Sequence, residues 1–534
     1  MNGWALLALL VFLFVATPAF TLAVRIFDGS GPQWSYIAGR LFSHYLPSTL
    51  WLLAGVSVLT LVVGIGMAWL VSTYAFPGRR FFEWALILPL SFPAYMMGYS
   101  YVGLLEYTGP VNTFLRHRLG MDITGPIFDI MNIWGAIFVL SMSLFPYLYV
   151  ICRTTFVSRS ADLLDAAAML GSGPWRTFWK VALPMARPAV IAGLALIGME
   201  VLNDYGTVKY YGVDTFTTGV FRAWFSMGDV STGIRLSAIL MVFVVGMLWL
   251  ERGRRGNKAF AGRNASYRPA KRRRLRGGAM VVAMVACSAV LLLAFALPLG
   301  QVLYWVSLTA HRVVDTAFWT LVGNSVLLAL SASVLILVCA TVLLYAARIN
   351  RIEWVQYASQ LSILGYAIPG AVIAIGIYLP MVWVDKWLVT LFTGSSGLYV
   401  SQTVTLLIFA YIVRFMAVAY HAVSAGFQKI GPHVSEASLM LGASTWRTLI
   451  RVDVPMIRNS LGAGLLLVFV DVIKELPLTL ILRPFNFHTL ATRAFDLATN
   501  EQVAESANFS LCVVAIGLLP VLLLNNLVKR NSHE

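Results

Sequence analysis

The feature that most restricts this chain is a segment that occurs twice. Residues 161–188 read ADLLDAAAMLGSGPWRTFWKVALPMARP, and residues 434–456 read VSEASLMLGASTWRTLIRVDVPM. A constant shift of 271 residues, without gaps, lays Asp165 on Glu436, Ala166 on Ala437 and Ala167 on Ser438. The same shift lays Gly171 on Gly442, Trp175-Arg176-Thr177 on Trp446-Arg447-Thr448, and Pro184 on Pro455. Each copy is a polar, charged stretch between strongly apolar ones. The pattern is that of a duplicated membrane protein with one equivalent device in each half.

Composition supports that class. The 534 residues are 59% hydrophobic and only 12% charged, with a mean hydropathy of +0.79, which a soluble domain does not reach. The net charge of +16 does not imply nucleic acid, because no basic motif accompanies a nucleic-acid-binding fold. It follows from Lys and Arg gathered in cytoplasmic loops. Cys152, Cys287, Cys339 and Cys512 lie in or beside apolar runs without metal-ligand spacing and read as packing residues.

Twelve apolar runs are long enough to span a bilayer, which takes about 20 residues. In the first half they lie near 4–24, 47–75, 82–105, 131–151, 187–208 and 233–250. The second half has 279–308, 320–347, 359–382, 398–422, 458–482 and 508–528. The first run lacks a basic leader and exceeds a usual signal core, so it reads as a retained span. With both termini cytoplasmic, 26 Lys and Arg fall inside and 11 outside, as the positive-inside rule requires. The expected organisation is a first half over 1–250 with its repeated loop near 161–186. A basic linker comes next at 251–278, then a second half over 279–534 with its loop near 432–457. The linker has no apolar periodicity and eleven Lys and Arg, which suits an irregular cytoplasmic connection.

Within the repeated segment, residues 161–170 favour helix, Gly171-Ser172-Gly173 breaks it, and Pro174 suits the first position of a second short helix. In the second copy Gly442 makes the break and Ser444 caps the short helix from Thr445. Two short helices with a bend, bearing one carboxylate and small residues, suit docking into a groove on another protein.

The shift of 271 continues into the next span, where Glu200 falls on Asp471, Asn203 on Lys474 and Asp204 on Glu475. Ionisable groups so deep in a span are costly unless paired or lining a wet cavity. In each span the acids are four apart, so they share a helix face. Carboxylates with Tyr205, Tyr210 and Tyr211 nearby are the oxygens that a hard cation prefers. Two readings stay open: a translocation path, or structural pairing with Lys474 neutralising Asp471 or Glu475. Arg414 reads as another paired charge.

The repeated segment resembles the EAA loop of ABC importer permeases: Glu-Ala-Ala, Gly after three residues, then Ile-x-Leu-Pro after nine more. Here the copies are Asp165-Ala166-Ala167, Gly171, Val181, Leu183-Pro184 and Glu436-Ala437-Ser438, Gly442, Val452, Val454-Pro455. The later stretches, EVLNDYGTV from Glu200 and DVIKELPLTLILRPF from Asp471, look like fused twelve-span permeases of ferric iron importers. The resemblance implies an all-α membrane protein of the type I importer permease fold, two six-helix halves about a pseudo-two-fold axis. It also implies that each loop seats in a separate ATPase subunit. Two ATPase copies would bind, together with a periplasmic substrate-binding protein, at a bacterial inner membrane. ATP and Mg would belong to the ATPase and no cofactor to this chain. None of the eight lysines follows a glycine, so no phosphate loop exists here, and the chain is expected not to be an enzyme. A tight iron site is disfavoured, because transport requires release. Permeases for thiamine, polyamines, sulfate or phosphonates share the overall build, and an ion-coupled secondary transporter would also show repeats and deep charges. The seven histidines show no HExxH motif, and His488, just outside the charged span, is the one to test.

Overall fold

The computed structural model describes residues 3–27, 31–120, 129–159, 167, 169–255, 272–350, 352–391, 400–431 and 433–531. These residues are overwhelmingly helical. The strands among them are the two-residue pieces Tyr74–Ala75 and Arg273–Arg274, paired in parallel. Helices dominate for the reason the sequence suggests: a backbone in hydrocarbon must satisfy its own donors and acceptors. Among the described residues, ten helices are long and apolar enough to cross a membrane, or up to twelve if each of two sharply bent pairs is one span.

One of these bends, and a further break, fall where the sequence analysis expects continuous spans. Residues 82–105 are divided between Arg79–Ser91 and Ala94–Arg118, which meet at 95°. Residues 359–382 are divided too: a helix ends at Ser362, a tight turn covers Ile363–Ala367, and a new helix starts at Gly370. Proline causes both breaks. Phe92 before Pro93 and Ile368 before Pro369 are extended, because proline denies its predecessor the helical region.

The chain packs as two compact units, and neither is one half of the sequence. One comprises Met1–Ser35, Val220–Met241 and Val314–Arg493, and the other Tyr36–Gly219, Val242–Val313 and Ala494–Glu534. In the first unit, Val404–Ile430 packs against Thr316–Ile349 and Arg458–Lys474. The N-terminal helix Gly3–Arg25 lies on Thr316–Ile349, Glu353–Ser362 and Gly370–Leu391. Close approach is built in there, since a Cβ at Gly376 would meet Pro18 at 2.8 Å. In the second unit Ile133–Arg159 packs against Leu46–Thr60, Gly66–Thr73 and Leu183–Asn203. Leu297–Val313 pairs there with Val503–Asn531, where Asn508 donates to Thr309 Oγ1 at 2.8 Å.

Candidate functional site

The repeated segment folds in both copies as the glycines dictate. In the second, helix His433–Met440 ends on Gly442 at φ +83, in the left-handed region. Gly442 N donates to Leu439 O at 3.0 Å and Ala443 N to Ser438 O at 3.2 Å, the paired bonds of a Schellman termination. In the first copy Gly171 has φ +73 and Ser172 N donates to Ala167 O at 3.0 Å. Asp165 and Ala166 lie outside the described residues; Ala167 is buried. Pro174 opens the helix Pro174–Thr177, and Ser444 caps Thr445–Thr448 by accepting from Arg447 N at 3.3 Å. Ser438 Oγ lies 3.0 Å from Thr448 Oγ1, tying the two arms of the elbow together.

Each elbow presents apolar side chains to solvent. Met169 and Leu170 are 89% and 86% exposed, and Met440 and Leu441 are 91% and 89% exposed. Trp175 and Trp446, also matched by the repeat, are exposed as well. Glu436 is exposed within 3.8 Å of His433, and Ala437 beside it is exposed. Pro184 sits in the first turn of Leu183–Asn203, whereas Pro455 sits in the short piece Val454–Met456, which a 78° bend separates from Arg458–Lys474.

The second elbow has anchors that the sequence did not reveal. Asp453 is fully buried and accepts from Ser435 Oγ at 2.7 Å, and Arg348 also reaches Ser435 Oγ, at 3.3 Å. Arg348 further donates to Gly431 O and Phe427 O. From the N-terminal helix, Trp4 Nε1 donates to Thr445 Oγ1 at 2.8 Å, and Tyr345 OH donates to Thr445 O at 2.7 Å.

Asp204 and Glu475 lie at helix breaks where the sequence analysis expects continuous spans, while Asp204 N still donates to Glu200 O at 3.0 Å, as the face shared by acids four apart requires. Helix Leu183–Asn203 stops at Asp204, which is extended (φ −65, ψ 129), and Arg458–Lys474 stops at Glu475 (φ −67, ψ 124). The spans expected at 187–208 and 458–482 resume as short helices Gly206–Tyr210 and Pro477–Leu482. The acids drive the break by capping the next helix. Asp204 accepts from Val208 N at 3.1 Å and Thr207 Oγ1 at 2.9 Å, and Glu475 from Leu478 N at 3.2 Å. Lys474 Nζ stands 4.0 Å from Asp471 Oδ1. Arg414 gives its donors not to an acid but to the carbonyls of Tyr366 and Ile368 at the proline break. Tyr205 is buried against Phe495, with ring centroids 5.7 Å apart, and His488 Nδ1 lies 2.8 Å from Arg483 Nη1.

A duplicated set of spans, two matched elbows with apolar tips and a broken charged span in each half are the build of a two-half membrane permease. The chain belongs to the binding-protein-dependent transport system inner membrane component family, whose model matches residues 60–250 and again 344–533. It has the type I ABC permease fold. Over 488 residues it is 25% identical to the Fe(3+)-transport system permease protein FbpB 2 of Haemophilus influenzae, covering 90% of this chain and 89% of that one. It is 20% identical to the ferric transport system permease protein FbpB 1 of the same organism, over 86% of this chain and 74% of that one. The molybdenum transport system permease protein ModB of Escherichia coli is 31% identical over 36% of this chain and 86% of its own length. The relatives are permeases rather than enzymes, and the family places the chain in an inner membrane and makes it depend on a binding protein.

Proposed function

We propose that this chain is the translocation subunit of an ATP-driven importer of ferric iron. In this reading two copies of a separate ATPase each seat on one elbow, and a periplasmic protein delivers the ion. The observation that carries the ATPase part is the matched pair of exposed apolar tips, Met169-Leu170 and Met440-Leu441, each just before a glycine in the left-handed region. Such surface in water marks a docking site. Asp165 and Glu436 would supply the carboxylate of each docked helix. Trp4 bonded to Thr445 puts the N-terminus on the face of the second elbow, which favours a cytoplasmic N-terminus.

For the cargo, the relatives that span most of the chain carry Fe(3+) or ferric in their names, whereas ModB matches about a third of it. Local charge agrees. Asp204 stands at the break of the first-half span and Glu200 one helical turn before it, where an oxyanion would be repelled and a cation attracted.

The test is uptake of radiolabelled ferric iron into proteoliposomes holding this chain, its ATPase and its binding protein, with thiamine, a polyamine and molybdate in parallel. ATP-dependent uptake of iron alone is expected. Uptake of another solute discards the iron reading and keeps the coupling, and uptake driven by an ion gradient without ATP overturns the importer reading.

A further inference from the structure

The two charged breaks share a backbone, yet their surroundings have diverged in sign. Three local registers show this. Phe92-Pro93 matches Ile368-Pro369, a shift of 276, so Tyr99 corresponds to Ile375. Helices Ile133–Arg159 and Val404–Ile430 match at 271, so Ser143 corresponds to Arg414. Each of those two bonds the carbonyl before its proline, Ser143 to Phe92 O and Arg414 to Ile368 O, which confirms the register. Beyond the break the shift becomes 274, because Thr215 N donates to Thr218 Oγ1 as Thr489 N does to Thr492 Oγ1. On that register Asp496 corresponds to Arg222. The unit holding Asp204 thus has Tyr99, Asn203, Ser143 and Asp496. The unit holding Glu475 has Ile375, Lys474, Arg414 and Arg222.

Ring packing brings Tyr99 into the neighbourhood of Asp204 and Asp496, through Tyr95, Phe495 and Tyr205. Tyr99 is only 2% exposed and its hydroxyl has no hydrogen-bond partner among the described residues. By contrast, Tyr211 OH donates to Gly98 O at 3.1 Å and Tyr101 OH donates to Leu293 O. A buried phenol left without an acceptor is costly and calls for an explanation. The Tyr99 ring lies 4.4 Å from that of Tyr210 and 5.8 Å from that of Tyr95. Phe495, adjoining Asp496, packs on Tyr95 at 6.4 Å and Tyr205 at 5.7 Å, which fixes its turn of helix over the same cluster. Asp204 and Asp496 keep part of their surface accessible while Tyr99, Tyr95 and Tyr205 are buried, as acids lining a recess do. The Asp204 carboxylate accepts from Val208 N and Thr207 Oγ1, and also from the Thr207 backbone, which still leaves lone-pair capacity on its two oxygens.

We propose that Tyr99, Asp204 and Asp496 form a transient coordination site for ferric ion, with no counterpart at the Glu475 break. The inference rests on the ferric reading above and names the residues that would hold the ion. Two carboxylates and one phenolate balance a trivalent cation, with one proton leaving Tyr99 for solvent and no change in the oxidation state of iron. Hard oxygen donors are what such an ion takes. Because Asp204 also caps a helix, its grip is divided, which favours release over storage.

The experiment is titration of the purified full chain with ferric citrate, followed by the visible charge-transfer absorption of iron bound to phenolate. Wild type is expected to show the band and Tyr99→Phe to lack it. Asp496→Asn should weaken ferric binding by at least about tenfold, the scale on which even an outer partner of a metal ligand acts. Tyr99→Phe is also expected to lower ATP-driven iron uptake severalfold while leaving the thermal midpoint unchanged or raised, since its hydroxyl holds no bond to lose. Absence of the band in wild type, or wild-type iron uptake by both Tyr99→Phe and Asp496→Asn, overturns the site. Failure of the wild-type complex to import iron at all removes the ferric reading itself, a separate outcome visible without any variant.

Discussion

Single residues set the elbows by backbone conformation more than by contact. Gly171 and Gly442 have open space where a Cβ would go, so substitution there is opposed by φ alone. Gly442→Ala should cost about 1–2 kcal/mol of local stability, a five- to thirtyfold loss of the competent bend. Asn, which tolerates the left-handed region, should recover part of it, and Pro should abolish transport-coupled ATP hydrolysis with insertion intact. The readout is ATPase activity of the assembled complex; wild-type coupling in the Ala and Pro variants would remove the assigned role. Asp229, which nothing in the sequence flagged, shows the other use of a residue. It is buried and accepts from Gln33 N at 3.0 Å, Thr232 N at 3.0 Å and Thr232 Oγ1 at 2.8 Å, tying the loop before Trp34 to a helix start. Burial would push its carboxyl up, but the bonds from Thr232 and Gln33 outweigh it and hold the value below the ordinary range. A depressed folded value means the stabilisation is full above the ordinary aspartate value near 3.9 and is lost as pH falls through the folded one. Asp229→Ala should therefore cost about 2 kcal/mol at neutral pH, read as a lowered thermal midpoint in detergent, and the gap to wild type should close in strong acid.

At the scale of elements, the elbow was legible and the break was not. A glycine followed by Pro174 or Ser444 is local chemistry, so the two short helices and their bend could be read directly from the letters. The interruption at Asp204 and Glu475 lies inside runs that stay apolar on both sides, and the spacing of the acids agrees with a continuous helix. Only the capping bonds to Val208 and Leu478 decide against one. The charge reversal was hidden for a related reason. A single shift of 271 aligns the elbows, but loops of unequal length move the register to 276 before them and 274 after, so Asp496 and Arg222 do not meet on a gapless comparison. The apolar tips carry a prediction of their own. Leu170→Asp and Leu441→Asp change exposed positions, so the fold should persist while each loses the burial of one leucine on the ATPase. That is about 2 kcal/mol, or roughly thirtyfold in affinity at that elbow. Native mass spectrometry of the complex should show one bound ATPase in either single variant and none in the double. Two bound in every variant would place the docking surface elsewhere.

At the scale of the molecule, duplication and packing follow different boundaries. The twelve runs and the linker suggest two halves that meet as finished bundles, yet each compact unit takes segments from both sides of the linker. Apolar span surfaces carry little directional information, since lipid and a neighbouring helix are nearly the same solvent to a leucine side chain. The choice of partner is made by shape, and shape is absent from a hydropathy pattern. Gly376 receiving Pro18 is one such fit, and Trp4 bonded to Thr445 fixes the same helix at its other end. A chain divided between Phe260 and Ala261, within the basic linker, tests this arrangement. Residues 261–534 expressed alone would lack Gly3–Arg25, leaving the faces of Thr316–Ile349 and Gly370–Leu391 that it covers open to lipid and the donor to Thr445 missing. The first fragment alone would lack the Leu297–Val313 and Val503–Asn531 pair that completes its unit. Each fragment alone should be degraded in the membrane, and co-expression should restore both full-length stability and iron uptake. A second fragment that is stable by itself would show that the halves, and not the interleaved units, are what folds.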